Sequence, residues 1–550
     1  MKKNILKVHP NDNIIVALEN LSAGEVVSYE GVTIEMKDEI SLKHKFAEKD
    51  LEKGQNIIMY GVIVGKAKDF IKQGSLISQA NVAHDTADYQ LGERNLSWTK
   101  PDVSRFSERT FMGYHREDGQ VGTRNHWLVI PLVFCENRNI NVLREAMSKE
   151  LGYISHKDYS VDVRQLVKLY QNGASESEIL SADVLQNAQK IKENRVFPNI
   201  DGIKFLTHDG GCGGIRQDSE ALCNLLAGYI THPNVAGATV LSLGCQNAQI
   251  PILEEAIKRR NPNIQKPVYF LEQQKSSSER AFIAEAVQKT FVGMAKANEL
   301  QRAPAPISKL TLGLECGGSD GFSGISANPV LGYASDMIVT MGGKTILSEF
   351  PELNGVEQEL VNRCVSDEAA QKFSHLMKSY AQRAEAAGSG FDMNPSPGNI
   401  RDGLITDAMK SAGAAKKGGT SPVIDVLDYT EPAVKPGLNL LCTPGNDVES
   451  TTGLAGSWAN LIVFTTGLGT PTGNPVAPVL KISSNTILAD RMADIIDLDT
   501  GPVIAGTSTI EEKGEELLDL IIRVASGEMM AKAEELGQDD FIPWKRGISL

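Results

Sequence analysis

A chain of 550 residues with 41% hydrophobic and 23% charged residues is long enough for two to four domains and has the balance of a globular protein. Its net charge of −14 excludes general nucleic-acid binding, which needs a basic face, and would repel an anionic membrane. No apolar run approaches the roughly 20 residues of a membrane span. The start Met1-Lys2-Lys3-Asn4 lacks the apolar stretch of a secretory signal, so the expected location is the cytoplasm. The cysteines at 135, 212, 223, 245, 316, 364 and 442 include no CxxC pair, which disfavours a disulfide frame in a reducing compartment. Three of them sit beside glycines, in Gly211-Cys212-Gly213, Gly244-Cys245 and Cys316-Gly317, an odd setting for core filling.

Residues 1–86 are expected to form a small β-rich module. Asn13 to Leu18, Gly24 to Val27, Val32 to Met36, Gln55 to Tyr60 and Val62 to Val64 look like short strands between glycine or charged turns. Glu48 to Leu51, followed by Lys53-Gly54, fits a short helix with a glycine stop. The module also carries Lys43-His44-Lys45. A histidine between two lysines suits an anion or metal contact, or a plain surface charge cluster. Residues 87–108 hold Pro101 and many polar residues with no period, the pattern of a linker.

A middle α/β domain is expected over residues 109–303. Asp118-Gly119 marks a hairpin turn. Trp127 to Phe134, Gly202 to Leu206, Ala238 to Leu243 and Val268 to Leu271 read as strands, with helices about 219–230, 254–260 and 277–298. Strands alternating with helices mean a parallel sheet covered on its faces. Polar residues fall at the strands' carboxyl ends: Thr207-His208-Asp209-Gly210-Gly211-Cys212, Gly244-Cys245-Gln246-Asn247 and Glu272-Gln273-Gln274. Pro304 and Pro306 open a second α/β domain, residues 304–550. It alternates a strand before Cys316, a helix over 328–341, a strand at Thr345 to Ser348 and one long helix over 355–387. Strands at Val423 to Leu427, Leu438 to Cys442, Leu461 to Thr465 and a polar strand end at Lys481 to Thr486 follow. The fold class is therefore multidomain α/β, a β-rich module followed by two domains with Rossmann-like parallel sheets.

The densest chemistry lies in Leu314-Glu315-Cys316-Gly317-Gly318-Ser319-Asp320, continuing through Ser323-Gly324 to Ala327-Asn328-Pro329. A glycine loop at a strand end is where open α/β sheets place ligands. Neither a Walker A pattern nor G-x-G-x-x-G occurs, so the hydroxyls, amides and acids point to a small polyhydroxylated anion. Candidate metal ligands are His44, His208, Cys212, Cys245, Cys316, Glu315, Asp320, Glu349 and Glu352. Thiolates with imidazole suit iron or zinc, and carboxylates suit magnesium, manganese or ferrous iron. Thr207-His208-Asp209 also fits a capped helix start. Candidate bases are His44, His208, Lys45, Lys344 and Lys481, with histidine favoured by its pKa.

Taken together, these stretches resemble the altronate dehydratase family, with galactarate dehydratase as a close relative. Gly119-Gln120-Val121-Gly122-Thr123-Arg124-Asn125, Asn394-Pro395-Ser396-Pro397-Gly398-Asn399, Pro444-Gly445-Asn446-Asp447 and Gly467-Leu468-Gly469-Thr470-Pro471 carry the resemblance along with the Cys316 loop, Leu243-Gly244-Cys245 and the His44 region. It covers essentially the whole chain. It implies a SAF-type N-terminal domain and a hydro-lyase that removes water across C2–C3 of a sugar acid. The implied reaction is D-altronate to 2-dehydro-3-deoxy-D-gluconate, in hexuronate catabolism. The implied cofactor is a divalent metal, Fe2+ before Mn2+, and the implied assembly a homodimer. On this resemblance His44, His208 and Lys45 are the catalytic candidates. Arg124, Asn125, Ser319, Asp320, Asn446, Asp447 and Thr470 are the substrate candidates, and His44, His208, Cys212, Cys245 and Cys316 the metal ligands. Two departures stand out. Gly210 replaces an aromatic residue expected before Gly211-Cys212, and the stretch from His156 to Glu193 is long for the family. The rival readings are a galactarate dehydratase, an iron–sulfur protein built on Cys135, Cys212, Cys245 and Cys316, and a sugar-acid binder without turnover.

Overall fold

A computed structural model describes residues 4–549 except 30, 93, 154–158 and 188–194. The N-terminal module folds as short antiparallel sheets. Ile5–Leu6, Ile14–Ala17, Lys45–Ala47 and Leu76–Ile77 form one, and Asn56–Met59, Val62–Ala67 and Val82–Ala83 another. The helix expected at 48–51 is absent. Leu51 is fully buried and bridges to Ile71 instead, because four residues cannot repay helix nucleation while the sheet core offers an apolar site.

The middle domain is built on a parallel sheet of β1 (His126–Pro131), β2 (Gly202–Phe205), β3 (Val235–Ser242) and β4 (Val268–Glu272), in the order β2-β1-β3-β4. Every residue of β1 and β3 is buried, as expected of strands covered on both faces. The hairpin at Gly119 forms, joining Thr110–His115 to Val121–Gly122, with Gly119 at φ 81°. Thr110–His115 also pairs with Ala303–Pro306, so the two ends of this domain meet. Part of the long stretch from His156 to Glu193 lies outside the described residues. Within the rest, Tyr159–Val161 pairs with Leu185–Asn187 around helices Val163–Gln171 and Glu176–Leu180.

The C-terminal domain holds the larger sheet: β5 (Thr311–Cys316), β6 (Lys344–Leu347), β7 (Val423–Leu427), β8 (Gly437–Leu441), β9 (Leu461–Thr466), β10 (Val479–Ser483) and β11 (Leu498–Asp499). Its order is β7-β8-β6-β5-β9-β10-β11 and every pairing is parallel. From β5 the chain first builds outward on the β6 side, then returns to build from β9 on the other. In open α/β sheets such a reversal is where a ligand crevice forms, here beyond the carboxyl end of β5. The single helix expected over 355–387 is two, Glu357–Arg363 and Asp367–Ala386. Cys364 leaves the first to bridge Val423, and Ser366 caps the second by accepting the Ala369 N–H at 3.1 Å.

The three parts share cores. Ile57, Met59 and Val64 of the N-terminal module belong to one apolar cluster with Phe322, Leu404 and Met409. Leu128, Leu225 and Tyr229 of the middle domain belong to another with Leu454 and Phe464. Residues 87–108 run along the C-terminal domain, where the Tyr89 hydroxyl meets Ser374 Oγ at 2.9 Å and Asn95 N–H donates to Asn362 O at 2.8 Å. Among the described residues no helix is long and apolar enough to cross a membrane.

Candidate active site

The loop leaving β5 runs between two buried charged clusters. At its start Cys316 is buried among acids and lysines. Its thiol donates to Glu352 Oε2 at 3.0 Å, and Lys417 Nζ stands 2.7 Å from its Sγ and 2.5 Å from Glu349 Oε2. The Cys316 N–H donates to the same Glu349 oxygen at 3.1 Å. Lys410 Nζ lies 2.7 Å from Glu352 Oε1 and donates to Asn394 Oδ1 at 3.1 Å. Glu315, one residue back, accepts from Ser348 and Ser450 hydroxyls at 2.8 and 2.6 Å. Glu349 sits at φ 65°, a left-handed conformation that a non-glycine residue holds only when its surroundings impose it.

Charge is unbalanced here. The buried Glu315, Glu349 and Glu352 and the half-buried Asp447 face two lysines. Burial, with Glu349 beside it, pushes the Glu315 carboxyl well above its usual range. Burial and Glu352 push Glu349 up despite Lys417. Asp447 is pushed up to about 7 by burial and by Glu349 and Glu352. Burial acts against Glu352 too, but Lys410 and Lys417 outweigh it and hold that carboxyl low. The Cys316 thiol is pushed well up by burial and the neighbouring glutamates. Glu315 Oε1 and Glu349 Oε1 are buried without a hydrogen-bond partner, and buried lone pairs of this kind call for a donor or a cation. Cys316 Sγ and oxygens of Glu349 and Glu352 all lie within 4.8 Å of one another. A thiol with two carboxylates is a donor set that fits ferrous iron or manganese.

At the loop's far end Asp320 is fully buried. It accepts from Ser323 and Ser484 hydroxyls at 2.9 and 2.8 Å and from the Asn485 amide at 3.2 Å. Its cation comes from the N-terminal module: Lys43 Nζ lies 2.9 Å from Asp320 Oδ2 and 3.2 Å from Asp402 Oδ1. Lys43 is also left-handed, at φ 75°. Two residues on, Lys45 is buried and donates to Gly403 O at 2.7 Å. Burial lowers its ammonium to about 7, with Asp320 opposing and Lys43 adding to the shift. Between them His44 is half-buried, its Nε2 3.0 Å from Arg401 O. A Cβ on Gly317 would lie 2.2 Å from Asp447 Oδ2, so only glycine admits the carboxyl there.

Residues 3–85 match the family described as Altronate/galactarate dehydratase SAF domain. Residues 113–298 match D-galactarate dehydratase/Altronate hydrolase, second domain, and residues 307–549 match D-galactarate/Altronate dehydratase, C-terminal. The chain is 33% identical to the altronate dehydratase of Bacillus subtilis (strain 168) over 548 residues, covering 100% of both chains. It is 32% identical to the altronate dehydratase of Escherichia coli (strain K12), covering 99% of both. It is 30% identical to the galactarate dehydratase (L-threo-forming) of Escherichia coli (strain K12), covering 97% of this chain and 94% of that one. The chain belongs to the altronate/galactarate dehydratase family. The α/β fold class with a SAF-type N-terminal domain holds with it.

Within this dehydratase fold the expected site residues do not all converge. Lys45, His44, Ser319 and Asp320 gather on the second cluster, where the Ser319 carbonyl accepts from the Asn399 amide at 2.7 Å. Asp447 and Cys316 gather on the first. Asn446 is exposed and caps helix Asp447–Gly456, accepting from the Val448 and Glu449 N–H groups. Thr470 is half-buried, its hydroxyl 2.9 Å from that of Thr472.

Three expectations need correction. His208 has both ring nitrogens engaged, Nε2 with Pro131 O at 2.8 Å and Nδ1 accepting from Gly210 N–H at 3.1 Å, and burial keeps it neutral. It fixes its own loop and has no free nitrogen for a metal or a proton. Arg124 is 4% exposed, forked onto Glu534 at 2.8 Å twice and onto the carbonyls of Thr123 and Val524. Asn125 is fully buried and donates to Asn199 O at 2.8 Å. Arg124 ties the middle domain to the C-terminal domain and Asn125 ties segments within the middle domain, so neither side chain is free for a substrate. The five expected metal ligands likewise divide: Cys316 is buried in the C-terminal domain, while Cys212 and Cys245 are exposed in the middle domain. The iron–sulfur reading that includes Cys316 fails for the same reason. Lys410 and Lys417 were missed. Their signal was three lysines, Lys410, Lys416 and Lys417, in the otherwise mostly small and apolar run Ala408-Met409-Lys410-Ser411-Ala412-Gly413-Ala414-Ala415-Lys416-Lys417-Gly418.

Proposed function

We propose that this chain is a sugar-acid hydro-lyase converting D-altronate to 2-dehydro-3-deoxy-D-gluconate in hexuronate catabolism. The observation that carries the reading is the pair of buried lysine–acid clusters at the two ends of the family's signature loop. Dehydration needs one group to take the C2 proton and another to protonate the departing C3 hydroxyl. Lys45, with an ammonium near 7, is half uncharged at neutral pH, and its free amine takes the C2 proton. Asp447, also near 7, gives its proton to the C3 hydroxyl, which leaves as water. The enol so formed tautomerises to the 2-keto acid. Lys43 draws the substrate carboxylate, while Ser319, Asp320, Asn446 and Thr470 orient hydroxyls at the crevice. His44, half-buried beside Lys45, shuttles protons to solvent.

A divalent ion, ferrous iron before manganese, would be held by Cys316, Glu349 and Glu352. When bound, it would polarise the substrate carboxylate and stabilise the charge that builds on proton loss. The reading also includes a cytoplasmic homodimer, whose mass sedimentation equilibrium measures. The deciding assay is anaerobic turnover with ferrous iron on D-altronate and on galactarate, reading the 2-keto-3-deoxy product and its loss on chelation. Product from galactarate alone would reverse the substrate assignment. Binding without product from either acid, with metal present, would end the dehydratase reading.

A further inference from the structure

The proposed reaction makes no use of three cysteines in the middle domain. Cys135, Cys212 and Cys245 are free and exposed, although free cysteine is among the most buried residue types and exposed thiols are a liability. Their positions are related. Cys135 follows β1, Cys212 follows β2 and Cys245 follows β3, and the sheet order β2-β1-β3 makes these three neighbouring carboxyl ends. From β1 the chain passes to β2 on one side and to β3 on the other, so this is the switch point of the sheet, where α/β proteins bind ligands.

The three loops are bonded to one another. Gly210 O accepts from Phe134 N–H and Gly211 O from Ala248 N–H, each at 3.1 Å. The Asn247 amide donates to Gly214 O at 3.2 Å. The Cys212 loop lies so close to Leu132 that a Cβ on Gly211 would stand 2.3 Å from its carbonyl oxygen. Cys135 also senses its neighbours: its thiol is pushed up by partial burial, then by Cys212 and, less, by Cys245.

Spacing decides what such a site holds. A single tetrahedral ion with sulfur at about 2.3 Å draws its thiolates to within about 4 Å of one another. Among the described residues, the group of ligand atoms mutually within 4.8 Å is Cys316, Glu349 and Glu352. The three middle-domain sulfurs are therefore neighbours set wider than one ion's ligands. A cubane cluster takes each cysteine on a separate iron and suits that wider spacing. We propose that Cys135, Cys212 and Cys245 bind a [4Fe–4S] cluster through three thiolates, leaving its fourth iron without a protein sulfur. A cavity of 350 Å³ beside Cys212, bounded by Thr207, His208 and, from the chain's far end, Trp544 and Lys545, gives room for an outside oxygen donor at that iron.

The test is anaerobic reconstitution of the full chain with sulfide and equal ferrous and ferric iron, the composition of the oxidised cubane. The expected result is about four irons and four acid-labile sulfides per chain, a broad visible absorption band and a paramagnetic signal after reduction. Cys135→Ala, Cys212→Ala and Cys245→Ala each lose most of the sulfide, while Cys316→Ser keeps it. In the wild type, cluster loading protects these three cysteines from iodoacetamide, read by mass spectrometry without any variant. Iron bound without sulfide, sulfide unchanged in the three variants, or equal alkylation with and without loading would each overturn the proposal. None of these readouts depends on dehydration, so the proposal fails or stands apart from the catalytic reading.

Discussion

Replacing Lys45 with methionine, similar in length and uncharged, separates the electrostatics of the second cluster from its packing. In the folded chain the ammonium titrates near 7, against about 10.4 in an unfolded chain. The folded value is depressed, so between these values the unfolded chain binds more protons and stability rises with pH. Below pH 7 the wild type carries the whole penalty, about 5 kcal/mol from a gap of roughly 3.5 units at 1.36 kcal/mol each. At pH 9 about 2 kcal/mol of it is left. Lys45→Met carries no such term. Urea unfolding at pH 6 and pH 9 should therefore show the variant gaining on the wild type by about 3 kcal/mol more at the lower pH. Activity should move the other way. Wild-type turnover should follow a bell centred near pH 7, because Lys45 must be free while Asp447 is still protonated, falling about threefold by pH 6 and again by pH 8, and the variant should lose at least about a hundredfold. A stability difference equal at both pH values, with a flat wild-type profile, would falsify the reading of Lys45 as a near-neutral base.

Lys417→Met strands Glu349 and the Cys316 thiol without their shared cation, and urea unfolding should show a loss of about 3–5 kcal/mol. A loss under about 1 kcal/mol would mean that the neighbouring carboxyls already carry the protons they need. Gly317→Ala forces Asp447 aside, so kcat should fall about a hundredfold with the circular dichroism spectrum unchanged. Unaltered turnover would remove Asp447 from the reaction. Arg124→Lys gives up the fork onto Glu534 and should destabilise by about 2–3 kcal/mol while leaving KM for the sugar acid unchanged. A several-fold rise in KM would return Arg124 to the substrate.

What the sequence revealed and what it hid divide along chain distance. The β5 loop was legible because strand, glycines, thiol and acid are contiguous, and local pattern is what periodicity reads. The sequence grouped Cys135, Cys212 and Cys245 with Cys316, but only the order β2-β1-β3 sets the first three apart as one place. Arg124 was misread because its partner Glu534 lies 410 residues away, and a buried ion pair across that distance leaves no local trace. Lys410 and Lys417 escaped notice because a lysine in a helix is normally solvated, and nothing in their neighbourhood announces the acids they meet. The break between helices Glu357–Arg363 and Asp367–Ala386 was readable in retrospect from Ser366-Asp367-Glu368, an N-cap followed by acids in the first turn. Helical periodicity on both sides hid it.

The lysines that the N-terminal module lends to the second cluster set a timetable for the chain. Lys45 waits for Gly403, 358 residues on, and Lys43 for Asp402, 359 residues on. At a synthesis rate of about 5–20 residues per second, that interval is roughly 20–70 s. For much of it Ile57, Met59 and Val64 pack only within their own module, without the part of the core that Phe322, Leu404 and Met409 later supply. A nascent chain of this kind exposes an apolar face for most of its synthesis, which makes it a natural client for chaperones on the ribosome. A product cut short before residue 402 has the lysines and Asp320 but neither Asp402 nor Gly403 to complete the cluster. Catalytic competence is thus one of the last things the growing chain acquires.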